Sequence, residues 1–535
     1  VRIRTLGSRR MIEPYHDFIR KAVADTLSLE DVQRGHLDLA CAMEAAPQPD
    51  VQAMALHYKA AGKPEKAIMY VTRAGLQAAE ALAFGRAASH FRMSLSLRPV
   101  WDPEAGAIWG RLGEALANMG RGKEAAEAYL RAVPLVAAGE ANRLQRLAAQ
   151  EYLRNGHLEE GLASLRAVLS ASGSRLASSR IQAVASTLFH KALVRLRGLH
   201  VRERTPQELP PAVLDKLDAY WVATVGLAAG DLIGAADFQS RQLYLSLRTG
   251  EPFRMVRALA YEAIYASALG VRRAGTTQHY LDQALMHAER LGDPNPMSLA
   301  LIAAGLAHTT FGHWRKGAEL LDRVEAMLRE NSTGLTYELR NAQSFSLMNH
   351  YALGNLQVVA ERLPSLFRDA EETGDLLFLA NLKTGSAFIH HLARNEPGPA
   401  RADIRRTMDR LSPKGFFHQR YLEMVALGNI DLYAGDFTQG WTQLNERWNA
   451  LAPSQLMLAQ VIRITCLELR ARMALAVSSA AGDAERRRSF RALARRDALR
   501  LRKEGADYGR ALAHRLEAVD AWLEGRREEA LTRVF

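Results

Sequence analysis

The sequence is poor in the residues that build anything other than helices. Aromatic side chains make up 7% of its 535 residues against 48% hydrophobic ones in all, and alternating runs of Val, Ile and Thr are almost absent. Alanine, leucine, arginine and glutamate dominate, the usage of a chain that is nearly all helix. Only two cysteines occur, Cys41 and Cys466, in no spacing that binds zinc or works as a redox pair. Disulfides are therefore not expected, and a reduced, cytoplasmic compartment is. Apolar runs such as SLALIAAGL at 298–306 fall short of the roughly 18–20 residues that cross a bilayer, so no membrane segment is expected.

Catalytic motifs are missing as well. A phosphate-cradling loop needs glycines followed by Lys and Ser/Thr; GRGKEA at 120–125 has the lysine and lacks the hydroxyl. A kinase needs Asp-Phe-Gly to hold its metal, and GDFTQG at 435–440 offers Asp-Phe-Thr. His390 and His391 are neighbours, which point about 100° apart on a helix and do not share one metal. No Gly-x-Ser-x-Gly turn occurs to expose a serine nucleophile. The chain is read as not an enzyme, with no catalytic residue, no cofactor and no metal site. His16 and Asp17, side by side in MIEPYHDFIRKAV, are the one pair that resembles chemistry, and the aspartate suits a helix amino terminus by capping and by the dipole.

What is present is a period. A short apolar or small-residue run, a turn residue and a small residue five positions on recur in LAAGDLIGA, SALGVRRAG, TTFGHWRKG, YALGNLQVV, LARNEPGPA and LYAGDFTQG. The turn residues are Gly230, Gly270, Gly312, Gly354, Asn395 and Gly435. A glycine, or less often an asparagine, ends a helix in the left-handed conformation at little steric cost, and the small residue lets the next helix pack closely. Each unit is thus a helical hairpin that buries its apolar face only by stacking on its neighbours.

Nearer the amino terminus the unit is shorter. WGRLGEALANMGRGKEAAEAYLRA carries Trp109, Leu112, Gly113, turn residue Gly120, Ala125, Tyr129 and Ala132, which fits the tetratricopeptide pattern. Tyr58, Gly62, Ala67 and Ala74 make a second copy, Ala87, Phe91 and Pro99 a partial third, Tyr152 and Gly156 a fourth, and weaker turns follow at Gly482 and Gly525. Trp109, Tyr129, Tyr58 and Phe91 are read as knobs between helices. The fold class is therefore all-α, a tetratricopeptide-like solenoid of helical hairpins winding into a superhelix. GLHVRERTPQELPPAVLDK at 198–216, with three prolines and clustered charge, is read as a connecting loop. The expected organisation is 1–45 as linking residues, 46–197 as a first stack, 198–216 as the loop, and 217–535 as a second stack of longer hairpins with an incomplete last repeat.

Seventy basic residues against fifty-eight acidic ones give a net charge of +12, which favours acidic partners. The excess is concentrated in ERRRSFRALARRDALRLRK at 485–503, read chiefly as a solvated helix face; nucleic acid is not an expected partner, because no recognition-helix pattern or stacking set accompanies it. In a tetratricopeptide stack the first helix of each hairpin lines the concave side. Counting back from the turns, that side includes Tyr220, Arg257, Tyr261, Asn341, Tyr351 and Asn429, candidates to read a peptide, a protein partner or a small effector.

The opening VRIRTLGSRRMIEPYHDFIRKAVADTL, with Glu13, Pro14, Tyr15, His16 and Asp17, resembles the winged-helix end of the AAA-like signal-transduction ATPase module in large bacterial proteins that also carry a Ser/Thr protein kinase domain and a tetratricopeptide tail. The likeness continues through LHYKAAGKPEKAIMYVTRAG at 56–75, GADFQSRQLYLSLRTGEPFRMVRALAYEA at 234–263, STGLTYELRNAQ at 332–343 and IDLYAGDFTQGWTQLNERW at 430–448. It implies a winged-helix remnant at the amino terminus and a fragment of a larger protein whose kinase and ATPase modules lie upstream. The chain itself is then a non-catalytic interaction and sensor tail that regulates those modules. An inducer-binding tail of a transcription regulator and a free-standing scaffold are the alternatives.

Overall fold

The computed structural model describes residues 2–6, 9–13, 18, 21–22, 25–47, 49–99, 101–228, 230–331, 335–411 and 418–534. The pair His16–Asp17, read as the exit from a winged-helix hairpin, lies outside the described residues. The chain divides into two compact units, Val1–Met119 with Glu127–Leu144, and Gly120–Ala126 with Gln145–Phe535. Apart from one antiparallel strand pair, the described residues form helices and the turns between them, so the fold is all-α, a solenoid of tandem helical hairpins.

The strand pair stands where a winged-helix remnant is expected: β1 (Arg2–Leu6) and β2 (Arg9–Glu13) run antiparallel, Arg2 opposite Glu13 and Leu6 opposite Arg9. The first unit continues with α1 (Leu29–Glu44), α2 (Val51–Ala60), α3 (Pro64–Glu80), α4 (Phe84–Leu97) and α5 (Ala105–Asn118). Ser28 and Asp50 start α1 and α2 by accepting backbone N–H groups of Asp31 and Ala53 at 3.1 Å each, the ordinary amino-terminal cap. Helices α6 (Gly122–Ala132) and α7 (Ala138–Arg154) follow.

The aromatic knobs of this unit are buried: Tyr58, Phe91 and Tyr129 are at most 2% exposed, and Tyr58 stacks on Tyr70 at 5.4 Å. Trp109 is only half-buried and lies under the guanidinium of Arg131, 4.9 Å from its ring centre. Glycines make room for the knobs. A Cβ on Gly113 would stand 2.5 Å from the Tyr129 ring, and one on Gly75 would stand 2.7 Å from that of Phe91. Gly113→Ala is therefore expected to destabilise the first unit by about 1–3 kcal/mol, because a buried flat ring has nowhere to move. A shift in the urea midpoint followed by helical circular dichroism measures it, and an unchanged midpoint would show the ring to be free.

The second unit holds α8 (Leu158–Ala171), α9 (Arg180–Arg197), α10 (Pro211–Leu227), α11 (Leu232–Thr249), α12 (Pro252–Ala268), α13 (Ala274–Leu291), α14 (Pro294–Phe311), α15 (Trp314–Asn331), α16 (Thr336–Ala352) and α17 (Leu356–Thr373). After these come α18 (Leu376–Leu382), a π turn (Lys383–Ala387), α19 (Phe388–Ala393), α20 (Pro397–Met408), α21 (His418–Ala434), α22 (Phe437–Leu451), α23 (Gln460–Ala480), α24 (Ala484–Glu504), α25 (Asp507–Leu523) and α26 (Arg527–Val534). Helices from α10 to α17 are 17 or 18 residues long, against 10 to 17 in the first unit from α1 to α5.

Left-handed φ values occur at Gly62, Gly120, Gly156, Gly270, Gly312, Gly354, Asn395, Gly435 and Gly525. Gly230 differs. It lies in the turn after α10, its N–H donating to Leu227 O at 3.1 Å, without a left-handed φ, and Gly482 lacks one too. At Gly230 the turn is finished by Asp231, whose carboxylate accepts the N–H of Gly234 at 3.0 Å and caps α11. A second series of turns joins one hairpin to the next. Gly250, Gly292 and Gly374 take left-handed φ, and the acid after each, Glu251, Asp293 or Asp375, caps the following helix, with proline next at Pro252 and Pro294. The signal stands in the sequence as TGEP, LGDP and TGDL.

The irregular segment 198–216 lies within the second unit. Leu199 and Val201 pack on the core around Leu243, Leu247 and Met255. Arg204 N–H donates to Gly250 O at 2.9 Å, and a Cβ on Gly250 would come within 2.1 Å of Arg202 O.

Candidate functional site

A simple array touches itself only between neighbouring repeats. The second unit does more: several hairpin tips dock on repeats far away in sequence. Gln455 accepts from Ile233 N at 2.7 Å, Gln460 accepts from Val271 N at 2.9 Å, and Trp314 meets Tyr508 edge-on with ring centres 5.6 Å apart. The turn glycines permit the approach. A Cβ on Gly312 would stand 2.6 Å from the Tyr508 ring, and one on Gly270 would stand 2.4 Å from Gln460 Oε1.

The tip between α7 and α8 builds a polar cluster in this way. Leu153 seats against Gly161 and Gly226, where added Cβ atoms would come within 2.6 Å and 2.3 Å of it. This directs the next residue, Arg154, towards the first turn of α16. There its guanidinium donates to Glu338 at 3.0 Å and lies 4.7 Å from the Tyr337 ring centre. Both partners are buried, with side chains 8% and 4% exposed. Burial pushes the neighbouring Glu151 carboxyl up to about 7, against the opposing charge of Arg154. Burial likewise raises Asp375 to about 6, although its carboxylate accepts Phe378 N–H at 2.9 Å as the cap of α18. Tyr261 and Tyr337 are raised by burial too. The cluster holds protons near neutrality, while its charges are committed to ion pairing and capping.

The candidate face residues fall around this cluster and beyond it. Tyr220 is 7% exposed, packed on Phe238 with its hydroxyl 3.1 Å from Ser174 Oγ. Arg257 is 6% exposed, bound to Asp218 at 2.8 Å and laid over the Trp221 ring. These two are built into the wall between helices. Tyr261 is half-buried with its ring edge-on to Trp221 at 4.4 Å, so Arg257 and Tyr261 share one tryptophan. Asn341 hydrogen-bonds Tyr337, which places it beside Arg154. Tyr351 and Asn429 share a neighbour in Arg472, which donates to Asn429 Oδ1 at 2.7 Å and acts electrostatically on Tyr351. The counting-back rule selects neither Trp221, which Arg257 and Tyr261 share, nor the Arg154–Glu338 pair beside Asn341 and Tyr337. Trp221 adjoins Tyr220 in sequence; Arg154 and Glu338 are 184 residues apart, and no local pattern links them.

The basic run at 485–503 forms α24, and much of its charge is spent within the stack. Arg491 and Arg495 bind Asp520 at 2.7 and 2.6 Å and both reach Glu524. Arg502 faces Glu517 at 3.5 Å. Asp497, fully buried, takes Arg470 in a two-pronged pair at 2.7 Å. Among the described residues no three His, Cys, Asp or Glu side chains are placed to hold a metal ion, and no helix is long and apolar enough to cross a membrane. Cys41 and Cys466 are free thiols.

No family model matches the chain, and no curated protein matches it. Among solved structures, the crystal structure of yeast Tom70 is 11% identical over 82% of this chain and 97% of its own, with a TM-score of 0.29. A monomeric mutant of IFIT1 with m7Gppp-AAAA is 12% identical over 94% of this chain and 93% of its own, with a TM-score of 0.26. What those proteins bind is a property of each of them.

Proposed function

We propose that the chain is a non-catalytic interaction module that holds a protein partner and so regulates an attached signalling ATPase and Ser/Thr kinase. The observation that carries the interaction is the outer face of α9. This helix packs on α11; its two buried residues are Ala183 and Val194, and Val194 joins the core around Leu243 and Leu247. Its opposite side presents Ile181, Leu188, Phe189 and Leu196, which are 83, 64, 60 and 85% exposed. Helical spacing puts the four within one stripe. Leaving so much aliphatic and aromatic surface in water is costly, and a contiguous apolar stripe marks a docking surface. The sequence of α9 contains no acidic residue, and Arg180 and Arg195 at its rim are exposed. The partner that fits is an amphipathic helix with a leucine-rich face and an acidic rim, packed helix on helix. The ATPase and kinase connection is supported by the sequence resemblance of 1–27 and of the tail segments.

The test uses a fluorescent 18-residue amphipathic peptide with leucine on one face and glutamate at its rim, titrated into the full chain. Leu188→Glu with Leu196→Glu is expected to weaken binding by at least about tenfold, equivalent to about 1.4 kcal/mol. A peptide with lysine at the rim is expected to bind more weakly to the native chain. Equal binding of the acidic peptide to both proteins overturns the docking face. Where upstream coding sequence supplies kinase and ATPase modules, adding the native chain to them is expected to change their turnover, and the double variant is not.

A further inference from the structure

The contact between the Gly270 turn and the end of α24 frames a cleft of about 600 Å³. Gln460, 3% exposed, ties its two sides together: Oε1 accepts Val271 N–H at 2.9 Å and Nε2 donates to Glu504 O at 2.7 Å. Leu269, Trp448, Met457 and Leu467 supply apolar lining. The polar lining is one-sided: Arg272 from the turn, Arg463 from α23, and Arg500 and Lys503 from α24, against Glu504 alone.

The charges do not cancel. Arg463 grips both oxygens of Glu504 at 2.8 Å and donates twice more, to Met457 O and Leu458 O. That pair is self-contained. Arg500 approaches Asp497 only at 3.7 Å, and Asp497 is already taken on both oxygens by Arg470. Arg272 and Lys503 are exposed cations at the mouth. Three positive groups, one of them some 230 residues from the others, thus line one partly apolar cleft whose single carboxylate, Glu504, is hydrogen-bonded to Arg463 and acts on Arg272 only at longer range. Like charges held together repel, and an anion that enters removes that repulsion while its apolar body covers the floor.

We infer that this cleft binds a small organic anion, a phosphate or carboxylate head group on an apolar or planar body. The head sits among Arg272, Arg500 and Lys503; the body lies towards Leu269, Met457 and Trp448. Because the cleft joins the α12–α13 turn to the end of α24, an occupant clamps two distant repeats of the second unit together. This site is independent of the α9 face and of any partner bound there.

Isothermal titration of the full chain with AMP and, separately, with phenylacetate distinguishes a phosphate from a carboxylate head, with inorganic phosphate and adenosine as the head-alone and body-alone probes. One of the two organic anions is expected to bind at one per chain, more tightly than either part alone, and more weakly as salt rises. Arg272→Glu with Lys503→Glu is expected to weaken it at least tenfold, and Arg272→Gln with Lys503→Gln by less, while thermal midpoints and binding of the acidic peptide to α9 are retained. Amide exchange at Val271 is expected to slow when the ligand is present. Absence of binding by both organic anions, or binding that the glutamate pair leaves unchanged, overturns the assignment. The retained peptide binding keeps that failure apart from a failure of the α9 docking face.

Discussion

Replacing Asp218 with alanine is expected to lower the unfolding free energy by about 3–5 kcal/mol at neutral pH, the loss typical when one member of a buried ion pair is removed. Asp218 is 7% exposed on α10. It accepts Arg254 Nε and Nη2 at 3.0 and 2.6 Å and Arg257 Nη2 at 2.8 Å, with Arg146 at 3.6 Å. Alanine leaves three guanidinium groups, one from α7 and two from α12, facing one another; Arg254 keeps Glu251 at 3.2 Å and Arg146 keeps Asp215 at 4.0 Å, but Arg257 loses its carboxylate. Burial alone would raise the Asp218 carboxyl, but Arg257, Arg254 and Arg146 outweigh it and hold the group at about 2. A depressed carboxylate contributes stability above its unfolded value, near 3.8, and loses that contribution as the pH falls through about 2. The penalty of the substitution is therefore expected to shrink between about pH 4 and pH 2. Urea unfolding at pH 7 and pH 2.5 measures both. A loss below about 1 kcal/mol at pH 7 would mean that the three arginines find solvent or other partners.

Glu151→Gln is expected to act in the opposite direction. The Glu151 carboxyl is raised from its ordinary 4.5 to about 7 by burial, with Glu338 and Asp375 adding to the rise and Arg154 opposing it. A carboxyl raised on folding binds more protons in the native state than in the unfolded one. Native stability then falls as the pH climbs from 4.5 to 7 and levels off above. At pH 8 the glutamine variant is expected to be more stable than the native chain by about 3 kcal/mol, since a rise from 4.5 to about 7 at about 1.4 kcal/mol per pKa unit amounts to about 3.5 kcal/mol at most. At pH 4.5 the two are expected to be nearly equal. Asp375, raised to about 6 by burial, keeps a shallower slope of the same sign in the variant. Thermal midpoints from pH 4.5 to pH 8 test this, and parallel curves for the two proteins would show that Glu151 stays ionised in the fold.

The two substitutions also show how far local pattern reaches. Asp218 and Glu151 both sit in helical stretches where an acid among apolar residues reads as ordinary solvent-facing charge. What makes one strongly stabilising and the other costly is the set of groups that folding brings to it. For Asp218 these include Arg254 and Arg257 on a helix two further along. For Glu151 they come from the docked start of α16 and from the cap of α18. The candidate face has the same character. Helical spacing places Tyr261, Asn341, Tyr351 and Asn429 on it, yet it also selects Tyr220 and Arg257, which Phe238, Ser174, Trp221 and Asp218 enclose.

The sequence by itself determined the helical-hairpin architecture, most of the left-handed turns and the aromatic knobs, because each rests on interactions within about one repeat. A glycine that ends a helix, an acid that caps the next, and a tyrosine that fits a glycine one hairpin partner away leave their marks within a few dozen residues. Gly230 departs from the rule: it lies in its turn without a left-handed φ, although Asp231 after it caps the next helix as the acids after Gly250, Gly292 and Gly374 do. Only the tertiary structure decided which tips close on distant repeats: Gly156 beside Leu377 and Leu411, Gly270 on Gln460, and Gly312 on Tyr508. It likewise decided that α9 turns an apolar face outward and that Arg272 meets Lys503 across one cleft. Those juxtapositions sum the small rotation added by every intervening hairpin, and no short stretch of sequence encodes that sum.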